Sequence, residues 1–242
     1  MIIGDDTKMF KKKILPILMF CLLLAGMAYF PYIPMTLFKF DIDTFSQIMK
    51  VFYNFVCDIG YMLIVFLIYN DTIIEDFKKY FKKFGANFEI SFKYYLVGLI
   101  IMIVSNLIIT FFFTKASANN EETVRTLIDS YPLYMIFSVS IYAPFIEEIV
   151  FRKSIKDSIL AFGKNKFTKY LYIATSGLIF ASLHVVGITT SAWDYLYIIP
   201  YLSLGCAFAA LYHKTDNIFS TIMLHSMHNT FTIILYLLAG GM

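Results

Sequence analysis

Long apolar runs, each interrupted by a short charged or turn-rich connection, set the pattern of this chain. Seven of them stand out, at 14–35, 46–69, 94–113, 131–151, 170–186, 195–212 and 218–239. Most reach or approach the roughly 20 residues that a helix needs to cross a hydrocarbon core of about 30 Å. The pattern therefore predicts an all-α integral membrane protein, a bundle of seven or eight transmembrane helices with its polar residues gathered in an intramembrane cavity. The connections are too short to fold alone, and no internal repeat or low-complexity tract breaks the chain. Two parts are expected, residues 1–130 with N-terminal transmembrane helices and no recognised motif, and residues 131–242 carrying the chemistry.

Composition agrees: 59% of the 242 residues are hydrophobic and only 15% charged, against roughly 45 to 50% apolar usage in soluble domains. Cys21, Cys57 and Cys206 lie in apolar runs without CxxC spacing, which argues against a disulfide framework or zinc ribbon. The net charge of +3 is a topology signal rather than a nucleic-acid footprint. With a cytoplasmic N-terminus, sixteen Lys and Arg residues fall inside and four outside (Lys39, Lys50, Lys115 and Arg125), the bias expected when positive loops resist translocation. This predicts a multi-pass plasma-membrane protein with its N-terminus cytoplasmic and its C-terminus outside. Residue usage rich in Lys, Ile and Asn points to a bacterium. Lys11 to Lys13 ahead of an apolar stretch also fit a signal peptide, but the length of the run favours an uncleaved anchor.

Ionisable groups inside a span cost roughly 2.5 to 3.5 kcal/mol each even on lenient insertion scales, so a cluster of them needs a reason. Glu147, Glu148 and Arg152 end the fourth run, Phe180 and His184 lie in the fifth, and His225, His228 and Asn229 lie in the seventh. On a helix Glu148 and Arg152 are i,i+4 neighbours able to pair, whereas Glu147 points about 100° away. Phe180 shares a face with His184, and His225 with Asn229.

These groups can meet only if the fourth helix continues past Arg152. Residues 154–162 are compatible with that, and Gly163 to Lys166 read as a stop and turn. Around a turn near Lys164, Glu147 lies 17 residues back and His184 lies 20 forward. In an antiparallel hairpin they then differ in depth by about 4.5 Å. Pro144 is expected to kink the fourth helix and free a carbonyl toward the cavity.

Two carboxylates, two imidazoles and an amide in a low-dielectric cavity suit amide hydrolysis. Glu147 is the candidate general base, His184 would hold the water, and His225 with Asn229 would face the oxyanion. The same Glu147, His184 and His225 could instead hold a divalent metal such as Zn, with water in a fourth position. The residues alone leave both routes open.

The ordered set Glu147-Glu148-x-x-x-Arg152, Phe180-x-x-x-His184 and His225-x-x-x-Asn229 resembles the CPBP intramembrane proteases, which include the CAAX prenyl endopeptidases and the bacterial Abi or bacteriocin-processing proteins. The resemblance covers roughly residues 131–238 and departs at Lys153, where relatives often have Gly. It implies a membrane-embedded endopeptidase acting on a membrane-associated or lipidated peptide or protein, with Glu147, Glu148, His184, His225 and Asn229 catalytic and Arg152 and Phe180 in support. It also implies a cavity opening to the cytosol.

Other readings remain. An idle membrane scaffold or bacteriocin-immunity protein of the same fold is the main alternative, because fold does not imply activity. A transporter would need paired broken helices or a repeat. Ala174-Thr-Ser176-Gly177 lacks the first glycine of a rhomboid serine motif, and HExxH, GxSxG and GxGD are all absent. His228 is expected to be a packed or hydrogen-bonded core residue and His213 to sit in a cytoplasmic turn. Asp58 is assigned a structural hydrogen bond and Asn106 a role as interhelical glue.

Overall fold

The computed structural model describes residues 9–113, 117–189 and 191–240. Lys8 and Lys115, both counted in the topology argument, lie outside them. Among the described residues nine helices follow one another: α1 (Phe10–Tyr29), α2 (Tyr32–Phe38), α3 (Gln47–Lys82), α4 (Phe84–Phe113), α5 (Asn119–Ser130), α6 (Pro132–Leu160), α7 (Lys166–Val185), α8 (Ile198–Thr215) and α9 (Ile218–Leu238). No strand occurs among the described residues. By length and composition α1, α3, α4, α6 and the helical stretch Ala192–Thr215 can cross a membrane. α7 and α9 have 20 and 21 residues, long enough to span, but their polar site residues dilute their apolar character. Large side chains such as Leu22, Ile48, Phe111 and Leu238 are 66 to 80% exposed around the bundle, as lipid-facing positions require.

Three expectations change. The first run is not one helix, because Phe30 and Pro31 end α1 and a separate α2 follows. α3 and α4 run well beyond the apolar runs that announced them, so Lys78, Lys79, Lys82 and Lys93 are helical, and Lys83 forms the turn between them. α3 covers 36 residues but is kinked at Tyr69, whose φ of −115° and ψ of 16° leave the helical region, at the end of the apolar run 46–69. His213 sits in the last turns of α8, against Tyr172 with ring centroids 6.3 Å apart, not in a turn.

The ends of the bundle are well marked. Asn165 caps α7 through a reciprocal pair with Thr168, and Asn217 caps α9 by accepting from the Ser220 N–H at 3.1 Å. At this end Asp76 of α3 accepts from the Ile218 N–H at 2.8 Å, and Lys156 of α6 meets Asp216 at 2.6 Å. At the other end lies α5, which the sequence reading missed. Asp129 of α5 accepts from Tyr236 Oη at 2.8 Å, and the Asn119 amide donates to the Ile188 carbonyl at 2.6 Å.

The main core joins both halves of the chain: Leu23, Tyr61 and Val65 pack with Ile146, Phe151, Tyr172 and Ile218. Tyr61 donates to the Leu23 carbonyl at 2.5 Å. α7 and α8 cross where glycines allow backbone contact. A Cβ on Gly205 would lie 3.0 Å from Gly177 Cα and 3.1 Å from its carbonyl oxygen, with no flexible atom to yield. Small residues at such crossings replace the hydrophobic drive that lipid cannot supply. Gly205→Ala should therefore destabilise the bundle by roughly 1 to 3 kcal/mol through overpacking, read as a lower Tm in detergent, whereas Gly85→Ala, in open space, should leave Tm in place.

Candidate functional site

α6 passes Arg152 and ends at Leu160, as the turn-counting argument requires, so Glu147 sits about midway along the helix. Two π-helical turns flank it, Ser138–Tyr142 and Glu148–Ser154, of the kind that recurs at functional sites. The first has a visible cause. Pro144 has no N–H, and the Ala143 N–H reaches back to the Ser138 carbonyl. The Val139 carbonyl thereby loses its helical donors, and the Asn229 amide donates to it at 2.8 Å. The freed carbonyl expected from Pro144 exists, and it fixes Asn229.

Glu148 and Arg152 are both fully buried, with Arg152 Nε 3.0 Å from Glu148 Oε2, an ion pair rather than an aligned hydrogen bond. Arg152 also donates to Ser176 Oγ at 3.3 Å, while Ser176 donates to the Phe151 carbonyl at 2.6 Å. The guanidinium lies 4.6 Å from the Phe180 ring centroid and 5.9 Å from that of Phe208, within cation–π range. The other oxygen of Glu148 accepts from His225 Nδ1 at 2.9 Å. That bond leaves His225 Nε2 facing Glu147, whose Oε2 is 3.8 Å away.

His184 is oriented in a similar way. Its Nδ1 donates to the Phe180 carbonyl at 2.8 Å, and its ring is held between Phe180 at 4.4 Å and Tyr201 at 4.8 Å. In the neutral ring Nε2 is then the lone-pair nitrogen. Glu147, Phe180, His184, His225 and Asn229 line one cavity of about 370 Å³, inside the size range of ligand sites. The same cavity includes Asn106, Tyr201 and His228, together with Asn120, Glu121 and Val124 of α5. His228 Nδ1 bonds Tyr95 Oη at 3.0 Å, and Asp58 accepts from Tyr134 at 3.0 Å. Both have the hydrogen-bonding roles expected of them.

Among the described residues no three His, Cys, Asp or Glu side chains gather into a metal-holding group. His225 Nδ1 is held by Glu148, which leaves Nε2 as the nitrogen on the Glu147 side; Glu147, His184 and His225 are the side chains that could hold a metal there. Sequence reasoning missed α5 and the contributions of Tyr201 and Asn120. The polar stretch 117–130 with acids Glu121 and Glu122 in its first turn was the available signal for a helix there.

Fold and site together define a helical membrane protein with paired carboxylates and oriented imidazoles around one cavity. Residues 129–231 match the family model described as type II CAAX prenyl endopeptidase, Rce1-like. The matched segment holds every candidate site residue, and the match agrees with the motif resemblance. The chain is also 32% identical over 120 residues to "Putative membrane peptidase YdiL" of Bacillus subtilis, covering 50% of this chain and 44% of that one. It is 30% identical over 145 residues to "Membrane-embedded CAAX protease MroQ" of Staphylococcus aureus, covering 59% of this chain and 55% of that one. The chain thus spans about half the length of these curated relatives. No solved structure matches it significantly.

Removing one partner of a buried ion pair strands the other charge and costs about 3 to 5 kcal/mol. Arg152→Met should therefore lower the yield of folded, detergent-stable protein sharply. Arg152→Met combined with Glu148→Gln should recover part of that yield, measured by fluorescence-detected gel filtration.

Proposed function

We propose that this chain is an intramembrane endopeptidase that hydrolyses a peptide bond in a membrane-associated or lipidated polypeptide with water activated by Glu147. The observation that carries this is the 3.8 Å approach of Glu147 to His225 on a cavity that His184 also lines. Opposing one cation, Arg152, the two buried carboxylates leave one negative charge, and a low-dielectric interior disfavours leaving it uncompensated. His225 Nε2 stands beside that charge, 3.8 Å from Glu147 Oε2, where the pair can pass protons during the reaction.

The steps need no covalent nucleophile. The lone pair on His184 Nε2 accepts a hydrogen bond from water, and Glu147 takes the other water proton as the oxygen attacks the carbonyl carbon. The C–O bond forms while the carbonyl π pair moves onto oxygen. The second Nδ2 hydrogen of Asn229, and His225 Nε2 when it carries a proton, can donate to that oxyanion. On collapse the C–N bond breaks and Glu147 returns its proton to the leaving amine. The steps run on this chain's own groups; Glu147, His184 and His225 are the residues that would hold a divalent metal, which would supply Lewis-acid activation of the water there. The reading places the protein in the plasma membrane of a bacterium, with its N-terminus cytoplasmic, among lipids and polypeptide substrates.

The test compares N-terminal peptide profiles of membranes from cells expressing the wild type or Glu147→Gln at matched abundance. New termini present with the wild type should fall by roughly two to four orders of magnitude, the usual contribution of a general base. Identical profiles would assign the chain to the idle-scaffold or immunity class. Cleavage should also survive 1,10-phenanthroline in purified membranes. Loss of cleavage reversed by Zn²⁺ would replace the metal-free steps with a metal held by Glu147, His184 and His225.

A further inference from the structure

One intramembrane acid takes no part in the hydrolytic steps. Asp58 lies on α3, outside the segment that matches the family model, and is 8% exposed. A carboxylate inside a span is costly, and among the described residues this one forms no ion pair. Its partners are two hydroxyls of α6. Tyr134 donates to Oδ2 at 3.0 Å, and Ser138 donates to the same oxygen at 3.5 Å. Residues four apart share one helix face, so Asp58 grips a single turn of α6. Beside it the rings of Phe55 and Phe137 meet edge to face, with centroids 4.9 Å apart, and set the spacing of the two helices there.

The grip falls on the turn that prepares the site. A helical serine can bond back to the carbonyl four residues earlier, as Ser91, Ser105, Ser154 and Ser158 do here. Ser138 does otherwise. A carboxylate oxygen accepts, so the Ser138 hydroxyl donates across to α3 instead. Ser138 is also the first residue of the π turn, and its carbonyl receives the Ala143 N–H. That register leaves the Val139 carbonyl to the Asn229 amide, 2.8 Å away. The contacts form one chain, from Asp58 of α3 through Ser138, the π turn and Val139 of α6 to Asn229 of α9, one helical turn beyond His225.

We infer that Asp58 is a positioning residue of the hydrolytic site: from α3 it pins Ser138 and so holds the π turn in the register that presents the Val139 carbonyl to Asn229. It touches no reacting atom. Pro144 makes the π register possible by lacking an N–H, and Asp58 keeps it. The part of the chain before residue 130, which carries no motif, thus bears on the oxyanion donor through one buried hydrogen-bonded contact.

The effect on rate rests on the peptidase reading, whereas the contact is tested without activity, by hydrogen exchange and mass spectrometry of the full chain in lipid nanodiscs. Asp58→Leu should speed exchange of the amides at 138–143 roughly tenfold while α8 keeps its rates. Asp58→Asn, which retains an accepting oxygen, should stay near wild type. Unchanged exchange at 138–143 in folded Asp58→Leu would overturn the inference, and so would a uniform rise over all helices, the mark of lost stability alone. Where Asp58→Leu gives no folded protein, Ser138→Ala removes only the α6 hydroxyl and is read the same way. In membranes, Asp58→Leu should lower the rate at which Glu147-dependent termini appear by roughly 10²-fold, as expected when a reacting group is misplaced by about 1 Å. Asp58→Asn should restore most of that rate; equal loss in both variants would make Asp58 a proton carrier and overturn the positioning role. In an Asn229→Ala background Asp58→Leu should lower the rate little further, because the group it positions is gone, and fully additive losses would overturn the relay. Wild-type membranes without Glu147-dependent termini would refute the peptidase reading, and the exchange rates would still decide the contact.

Discussion

The buried pair of Glu148 and Arg152 is the constraint on which the rest of the site depends. Neither charge touches solvent, and an ionised group left alone in such a place costs several kcal/mol. Every neighbour therefore has a defined task. Ser176 of α7 accepts from the guanidinium, Phe180 and Phe208 cover it, and His225 of α9 gives its Nδ1 proton to the carboxylate. One ion pair on α6 thus fixes the rotation and depth of three other helices. The geometry around Glu147 follows from that arrangement, because turning His225 toward Glu148 turns its other nitrogen toward Glu147.

The backbone of α6 makes this arrangement possible. In a regular helix Glu147 and Glu148 would diverge by about 100°, and only one could address a given partner. The π turn that begins at Glu148 alters that angle, and His225 lies between both carboxylates. The turn before it, caused by Pro144, exposes one carbonyl that Asn229 must satisfy. A residue that looks like an oxyanion donor in sequence is therefore first a clamp between α6 and α9, with one of its two amide hydrogens already committed.

Much of this was legible in the sequence, for reasons that particular residues make clear. The i,i+4 spacing of Glu148 and Arg152 encodes their pairing directly. Gly163 to Lys166 mark the turn from which the depths of Glu147 and His184 can be counted. Asp58 and His228 were readable as hydrogen-bonded because burying them unpaired would be prohibitive. Other features depend on tertiary context. The π turns cannot be read from residue periodicity, and α5 is too polar to register as an apolar run, although its Ile128 is buried against Met135 and Ile233. Pro31 lies among apolar residues that hide the break between α1 and α2.

Water must reach a hydrolytic site, yet the membrane must stay sealed. A polar cavity open at both ends of a bundle would be a pore for ions and protons. Here the Glu148 and Arg152 pair and its aromatic packing serve two purposes at once. They orient His225, and they fill the bundle between the cavity and the lysine-rich end. Substituting a smaller residue at this layer would therefore disturb chemistry and barrier together. The alternative, a site made accessible from both sides, would require a separate plug. Placing the ion pair beside the cavity lets one buried structure orient His225 and fill the interior of the bundle.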